Sequence, residues 1–195
     1  MQAALPLNIL QRLKQTTADL HQRVEQRVHV FSTHFDMGQY VMLLRRTYGF
    51  WAPLEAQLQR LPELYHPALA LDCRLKAHLL EADLRTFGVP SADVTLCTDL
   101  PQVGTIGQGL GCMYVLEGST LGSQIIARHL TKRFGIDSDS GAAFFNAYRG
   151  LTNTRWAEFR EFMMSHTDPS SADEVIGSAV ESFECFDRWL AAVCD

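Results

Sequence analysis

The 195 residues contain no apolar run approaching the roughly 18 residues of a membrane-spanning helix. The first residues, Met1-Gln2-Ala3-Ala4-Leu5-Pro6, lack the basic stretch and long apolar segment of an export signal, so a cytoplasmic protein without a membrane partner is expected. There is no run of Lys and Arg, and the net charge is -5, which argues against nucleic acid as a partner. The five cysteines, Cys73, Cys97, Cys112, Cys185 and Cys194, are odd in number and scattered, with no CxxC pair. That excludes a zinc framework, a disulfide scaffold and an iron–sulfur pattern, and leaves free thiols that serve mainly as packing residues. No glycine-rich nucleotide fingerprint is present, so a redox reaction here would need electrons from an external donor. Strand signals are nearly missing, and the seven prolines cluster at the ends of apparent elements.

What is present is helical periodicity throughout, in a chain long enough for one substantial core, with 47% hydrophobic and 20% charged residues. A first helix is predicted over Pro6–Val28, where Leu10, Leu13, Thr17, Leu20, Val24 and Val28 recur at spacings of three and four. Phe31–Phe35 reads as a connector, and Asp36 caps a second helix over Met37–Leu61, ended by Pro62. Pro67 opens a third helix that stops near Phe87-Gly88-Val89-Pro90. Ser91–Thr98 reads as a loop with slight β character. Leu100–Phe134 reads as a long helix closed by Gly135, and its many glycines suggest that it bends. Short helices are predicted over Ala142–Tyr148 and Arg155–His166, and Asp168-Pro169-Ser170-Ser171 caps a last one over Ala172–Val193. The expectation is an all-α, single-domain bundle of about seven helices.

Two positions in that bundle carry chemistry. Gly118 and Gly122 lie four apart in Leu116-Glu117-Gly118-Ser119-Thr120-Leu121-Gly122, and each costs a helix about 1 kcal/mol relative to alanine. Two glycines on one face imply close approach of the backbone to another helix or to a flat ligand. In Leu20-His21-Gln22-Arg23-Val24-Glu25, His21 sits beside the apolar stripe and Glu25 lies on the same face one turn later. A carboxylate there can accept the second ring N–H of a metal-bound imidazole, and equally can be an ordinary helix-stabilising neighbour of a half-buried histidine. A macrocycle held by one axial His and covered by a glycine-softened helix fits both motifs, because porphyrin brings the other four ligands itself.

With these residues in hand, the chain resembles the heme oxygenases over nearly its whole length. His21-Gln22-Arg23-Val24-Glu25 corresponds to the proximal motif and Glu117-Gly118-Ser119-Thr120-Leu121-Gly122 to the kinked distal helix. Gly135-Ile136-Asp137, Gly141-Ala142-Ala143-Phe144-Phe145 and the Trp156–Phe162 helix are most similar to the bacterial branch associated with bacteriophytochromes. The resemblance implies His21 as the iron ligand, Glu25 as its partner, Gly118 and Gly122 as the distal wall and Tyr114 as a pocket border. It implies oxidative opening of heme, which is both substrate and cofactor, by O2 and electrons to biliverdin, CO and ferrous iron. The electrons would come from a donor of ferredoxin or reductase type, and a bacteriophytochrome apoprotein is implied as acceptor of the product. Mammalian members carry Asp where this chain has Ser119, so the acid's work in organising water falls to other groups. Lys14, two turns before His21, matches a basic position of the family and is the first candidate for the heme propionates. Arg128, His129 and Arg155 are the others. A heme carrier or sensor without turnover, and a thiaminase-like enzyme using Cys112, are the competing readings.

Overall fold

The computed structural model describes residues 8–192. Six α-helices and five short 3-10 turns make up the ordered elements of that span, with no strand among the described residues. The helices are α1 (Ile9–Val28), α2 (Met37–Leu58), α3 (Ala77–Thr86), α4 (Ile106–Phe134), α5 (Thr152–Ser165) and α6 (Ala172–Ala191). The all-α reading therefore holds, with six helices in place of about seven.

Local capping explains where the helices start. Asn8 and Gln11 exchange side-chain and backbone hydrogen bonds at 2.9 and 3.1 Å, fixing the first turn of α1 at Ile9. The predicted start at Pro6 and the predicted end of the last helix at Val193 lie outside the described residues, as does Cys194. Asp36 and Gln39 form the same reciprocal cap for α2. Gly135, in the left-handed conformation at φ 71°, ends α4 as its sequence requires.

Long-range contacts account for the boundaries that differ. The third helix begins at Ala77, not at Pro67, because Arg74 and Lys76 turn inward to meet Glu117 on α4. Ala70 takes a left-handed conformation and a 3-10 turn follows at Leu71–Cys73. The start of α3 is then capped from α2, where the Glu55 carboxylate accepts from the backbone N–H groups of Lys76 and Ala77 at 2.7 and 3.0 Å. Residues 100–105 stay outside α4, and Thr105 caps it through the N–H of Gln108. The slight β character of residues 91–98 yields only a 3-10 turn at Ser91–Asp93 and one backbone bond from Cys97 to Gly49. The helix expected over Ala142–Tyr148 is reduced to one 3-10 turn, Phe144–Asn146, and a second turn, Arg149–Leu151, follows it. Asp83 draws off the N–H groups of Ala143 and Phe144, and Arg149 adopts φ 49°, which breaks the helix before α5 starts at Thr152.

The core is one contiguous cluster in which Leu13, Tyr40, Leu44, Phe50, Leu54, Leu110 and Phe159 are fully buried. α6 is its spine, with α1 and α4 both packed along it. Ion pairs from Arg12 to Asp173 at 2.5 Å and from Arg27 to Asp187 tie both ends of α1 to α6, so the two helices run the same way. α4 shares that direction, with Gly107 facing Glu174 and Cys112 reaching Ser178 and Ser182. No helix among the described residues is long and apolar enough to cross a membrane.

Candidate functional site

The glycines of α4 divide into two groups. A Cβ on Gly111 would collide with the α6 backbone at Val175 and Ala179, and one on Gly109 would press on Leu61 and Leu64. A Cβ on Gly118 would meet only Trp156 Cη2, at 3.9 Å, and one on Gly122 would meet nothing within 4 Å. Helix packing thus accounts for the first group and not for the second. Gly118 and Gly122 border open space, and their neighbours Leu121 and Ile125 are 40% and 54% exposed. Exposed apolar side chains flanking bare backbone make a surface suited to a flat apolar ligand.

The same stretch of α4 is soft. The hydroxyls of Ser119, Thr120 and Ser123 donate back to the carbonyls of Leu116, Glu117 and Ser119 at 2.8, 2.7 and 3.0 Å. Such back-bonding competes with the helix ladder and favours bending, which is the deformability expected of the distal segment.

His21 projects from α1 with its side chain about half exposed, and its ring meets the edge of Phe183 of α6 at 5.8 Å. Its Nδ1 lies 3.6 Å from Glu25 Oε1, longer than a hydrogen bond but on the correct side, which leaves Nε2 to ligate. The relation between His21 and the glycines is set one turn earlier. The Tyr114 hydroxyl of α4 lies beside the Thr17 hydroxyl of α1. Because both helices run the same way, the next turn of each carries His21 and Gly118. Burial pushes the Tyr114 phenol above its ordinary range, against a smaller opposing effect of Thr17, so it remains protonated. Trp156 stands beside Tyr114, at 5.7 Å between ring centroids, and closes the back of the gap. A histidine with a carboxylate beside it, aromatic rings and bare backbone therefore stand on neighbouring turns, and these residues fit heme.

The cationic candidates do not converge. Lys14 is exposed on α1, three residues before Thr17 and so at the Tyr114 end of the gap. Arg128 lies fourteen residues beyond Tyr114 on the parallel helix, roughly 21 Å along its axis, and lines an open groove of about 440 Å³ with Lys132 and Arg149. His129 packs against Phe31 at 5.1 Å, and its buried Nε2 has no hydrogen-bond partner. Arg155 pairs with Glu158 at 3.1 Å. Heme carries both propionates on one edge, so Lys14 and Arg128 cannot both serve them.

Two features were not foreseen from the residues. Trp156 borders the open face. Glu117 is tied to Arg74 and Lys76, both buried, at 2.5 Å each and to the partly buried Tyr148 at 2.7 Å. Its standing as the one charged residue between Asp99 and Arg128 was the signal for it. Cys112, the nucleophile of the thiaminase-like alternative, is fully buried with the hydroxyls of Ser178 and Ser182 at 3.3 Å. Burial raises its thiol pKa, the reverse of what a nucleophile needs.

The heme oxygenase family model matches residues 7–192. A heme oxygenase of Xanthomonas campestris pv. campestris (strain 8004) is 30% identical over 164 residues, which cover 82% of this chain and 93% of that one. The crystal structure of NO- and CO-bound heme oxygenase from Neisseria meningitidis has the same fold. It superposes with a TM-score of 0.82 at 20% identity, over 96% of this chain and 92% of that one. On this match, which spans nearly every residue, the chain belongs to the heme oxygenase family, whose members degrade heme.

Proposed function

We propose that the protein opens heme with O2 and externally supplied electrons, yielding biliverdin, CO and ferrous iron. The observation that carries this reading is the Thr17–Tyr114 contact, one turn before His21 on α1 and one turn before Gly118 on α4. That contact supports the reading because His21, which would hold the iron, and the bare backbone at Gly118 lie one turn beyond it on two helices that run the same way. Bound heme supplies the redox-active iron and is itself the carbon skeleton consumed.

The chain's own residues then have limited tasks. His21 would hold the iron through Nε2. Glu25, 3.6 Å from Nδ1, would close on the Nδ1–H, fixing the tautomer and raising the basicity of the ring. Gly118 and Gly122 leave the space before α4 to substrate oxygen. The hydroxyl proton of Ser119 is committed to Leu116, so its oxygen accepts a hydrogen bond from water without acting as an acid. The single carboxylate of the segment, Glu117, points away from the gap, bound to its cations. Among the described residues no strong acid faces the space in front of Gly118 and Gly122, so the chain supplies no proton donor of the peroxidase kind there. Lys14, at the Tyr114 end of the gap, would take the propionates and so select the meso carbon that is cut. Lys14→Ala is expected to change the proportions of biliverdin isomers, read by chromatography.

Arg128, Lys132 and Arg149 form a basic groove on an otherwise acidic molecule, with no carboxylate in its lining. An acidic electron-donor protein of ferredoxin or reductase type fits it by charge. Delivery of the product as a bilin chromophore to a phytochrome-type apoprotein rests on the likeness of Gly135–Asp137 and Gly141–Phe145 to that bacterial branch.

The test is to load the protein with heme anaerobically, add electrons, admit air and follow the visible spectrum. Loss of the Soret band with growth of a broad red absorption, insensitive to catalase, is the expected result. A stable spectrum would leave a heme carrier or sensor. His21→Ala is expected to abolish both the histidine-ligated spectrum and ring opening, and full turnover by that variant without added imidazole would refute the ligand assignment.

A further inference from the structure

Behind the wall, on the side away from the gap, lies a buried charge cluster to which the chemistry above gives no task. Glu117, Arg74, Lys76 and Glu55 are each at most 4% exposed. Glu117 Oε2 accepts from Arg74 Nη1 at 2.5 Å, and its Oε1 accepts from Lys76 Nζ at 2.5 Å and from the Tyr148 hydroxyl at 2.7 Å. The other donors are committed as well, save Arg74 Nη2, which has no hydrogen-bond partner and lies 3.5 Å from Glu158 Oε2. Arg74 donates to the carbonyls of Leu69 and Arg155 at 2.6 and 3.0 Å, and Lys76 donates to that of Arg74 at 2.7 Å. Two carboxylates and two cations cancel in charge, with the Arg155–Glu158 pair at the rim. Residues distant in sequence, 69–77, α4 and 148–155, are joined at this one carboxylate.

Stability does not explain such a cluster. Removing four charges from water is costly, and apolar side chains of equal volume hold a core as well or better. What ions and hydrogen bonds give, and apolar contacts do not, is a fixed position, since each contact tolerates only a few tenths of an ångström. The position fixed is that of residue 117, whose chain neighbour is Gly118. In front of Gly118 and Gly122 almost nothing touches the helix, and along it three hydroxyls compete for the carbonyls. The turn that must present backbone at a set distance from His21 is thus loose in front and soft along its axis. It is gripped from behind only.

We propose that Glu117 is a positioning residue: its buried attachment to Arg74, Lys76 and Tyr148 holds the Gly118–Gly122 wall in place before any ligand arrives. The purpose assigned to the wall rests on the heme reading above. The anchoring itself does not depend on it.

Amide hydrogen exchange on the heme-free protein tests it, comparing wild type with Tyr148→Phe, Glu117→Gln and Glu55→Gln. Tyr148→Phe deletes one hydroxyl and keeps both ion pairs, and is expected to speed exchange at residues 118–122 about threefold. Glu117→Gln is expected to speed it about thirtyfold or more, with the α6 amides at 178–186 unchanged, since local opening reports local anchoring. Glu55→Gln disturbs the same cluster without touching α4. It is expected to lower the melting temperature yet leave 118–122 at the wild-type rate. In the heme–CO complex, Tyr148→Phe is expected to broaden the C–O stretching band, which senses wall position. Uniform acceleration across all helices, or an equal effect of Glu55→Gln on 118–122, would overturn the proposal and reduce the cluster to a general structural element. If Glu117→Gln does not fold, Tyr148→Phe against Glu55→Gln still decides. Failure of wild type to bind heme would sink the functional reading and leave the exchange result standing.

Discussion

From Ile106 to Met113, α4 lies against α6 so closely that the Gly111 position has no room for a single carbon. A Cβ there would come within 2.7 Å of Ser178 Cβ and 2.9 Å of Ala179 N. From Gly118 to Ile125 the same helix faces open space, with Leu121 and Ile125 bare. Both halves carry glycines, and for opposite reasons. In the first, glycine lets protein approach protein. In the second, it keeps a place for something that is not protein. Glycine spacing alone does not separate the two causes, and the atoms in front of each glycine do.

The sharpest way to break this comparison is Gly111→Ala. With α6 backbone in the way, the methyl group is expected to cost about 3 kcal/mol, or roughly 6–12 °C in melting temperature for a chain of this size. An unchanged melt would mean that α4 and α6 are not pressed together. Next in size is Gly118→Leu. It is expected to leave the melt of the heme-free protein within a few degrees while weakening heme binding about ten- to a hundredfold by titration, through crowding of the gap. Equal affinity would count against close backbone approach to heme. Smaller and opposite in sign is Gly122→Ala. With nothing within 4 Å, the methyl group is expected to stabilise the heme-free protein by about 0.5–1 kcal/mol, since the helix gains and no contact is lost. A loss there would show that the second half packs like the first. The smallest effect is expected for Gly107→Ala, within about 0.5 kcal/mol of zero. Its obstacle is the exposed side chain of Glu174, which can swing aside while helix propensity improves.

Legibility in the sequence followed the range of the interactions. Asp36, Gly135 and the Asp168–Ser171 segment act within four residues of themselves, and the ends they mark were read correctly. The start of α3 was misread because its cap, Glu55, comes from α2, and because Arg74 and Lys76 reach a carboxylate more than 40 residues away. No local window contains that contact. Arg149, at φ 49°, opens a second 3-10 turn just after the predicted helix, and nothing in its residue type announces it. The site divides in the same way. His21 with Glu25, and Gly118 with Gly122, are visible because each pair is a single helical turn. The alignment of those turns through Thr17 and Tyr114 is a tertiary fact, as is the place of Trp156 beside Gly118.

α1 and α4 each lie along α6 and approach one another where Thr17 meets Tyr114. On the heme reading, a plate held by His21 on one and facing Gly118 of the other would join the two helices one turn further along. Anything that binds only the folded form protects it by mass action, so a ligand held between them would stabilise the pairing of these two helices.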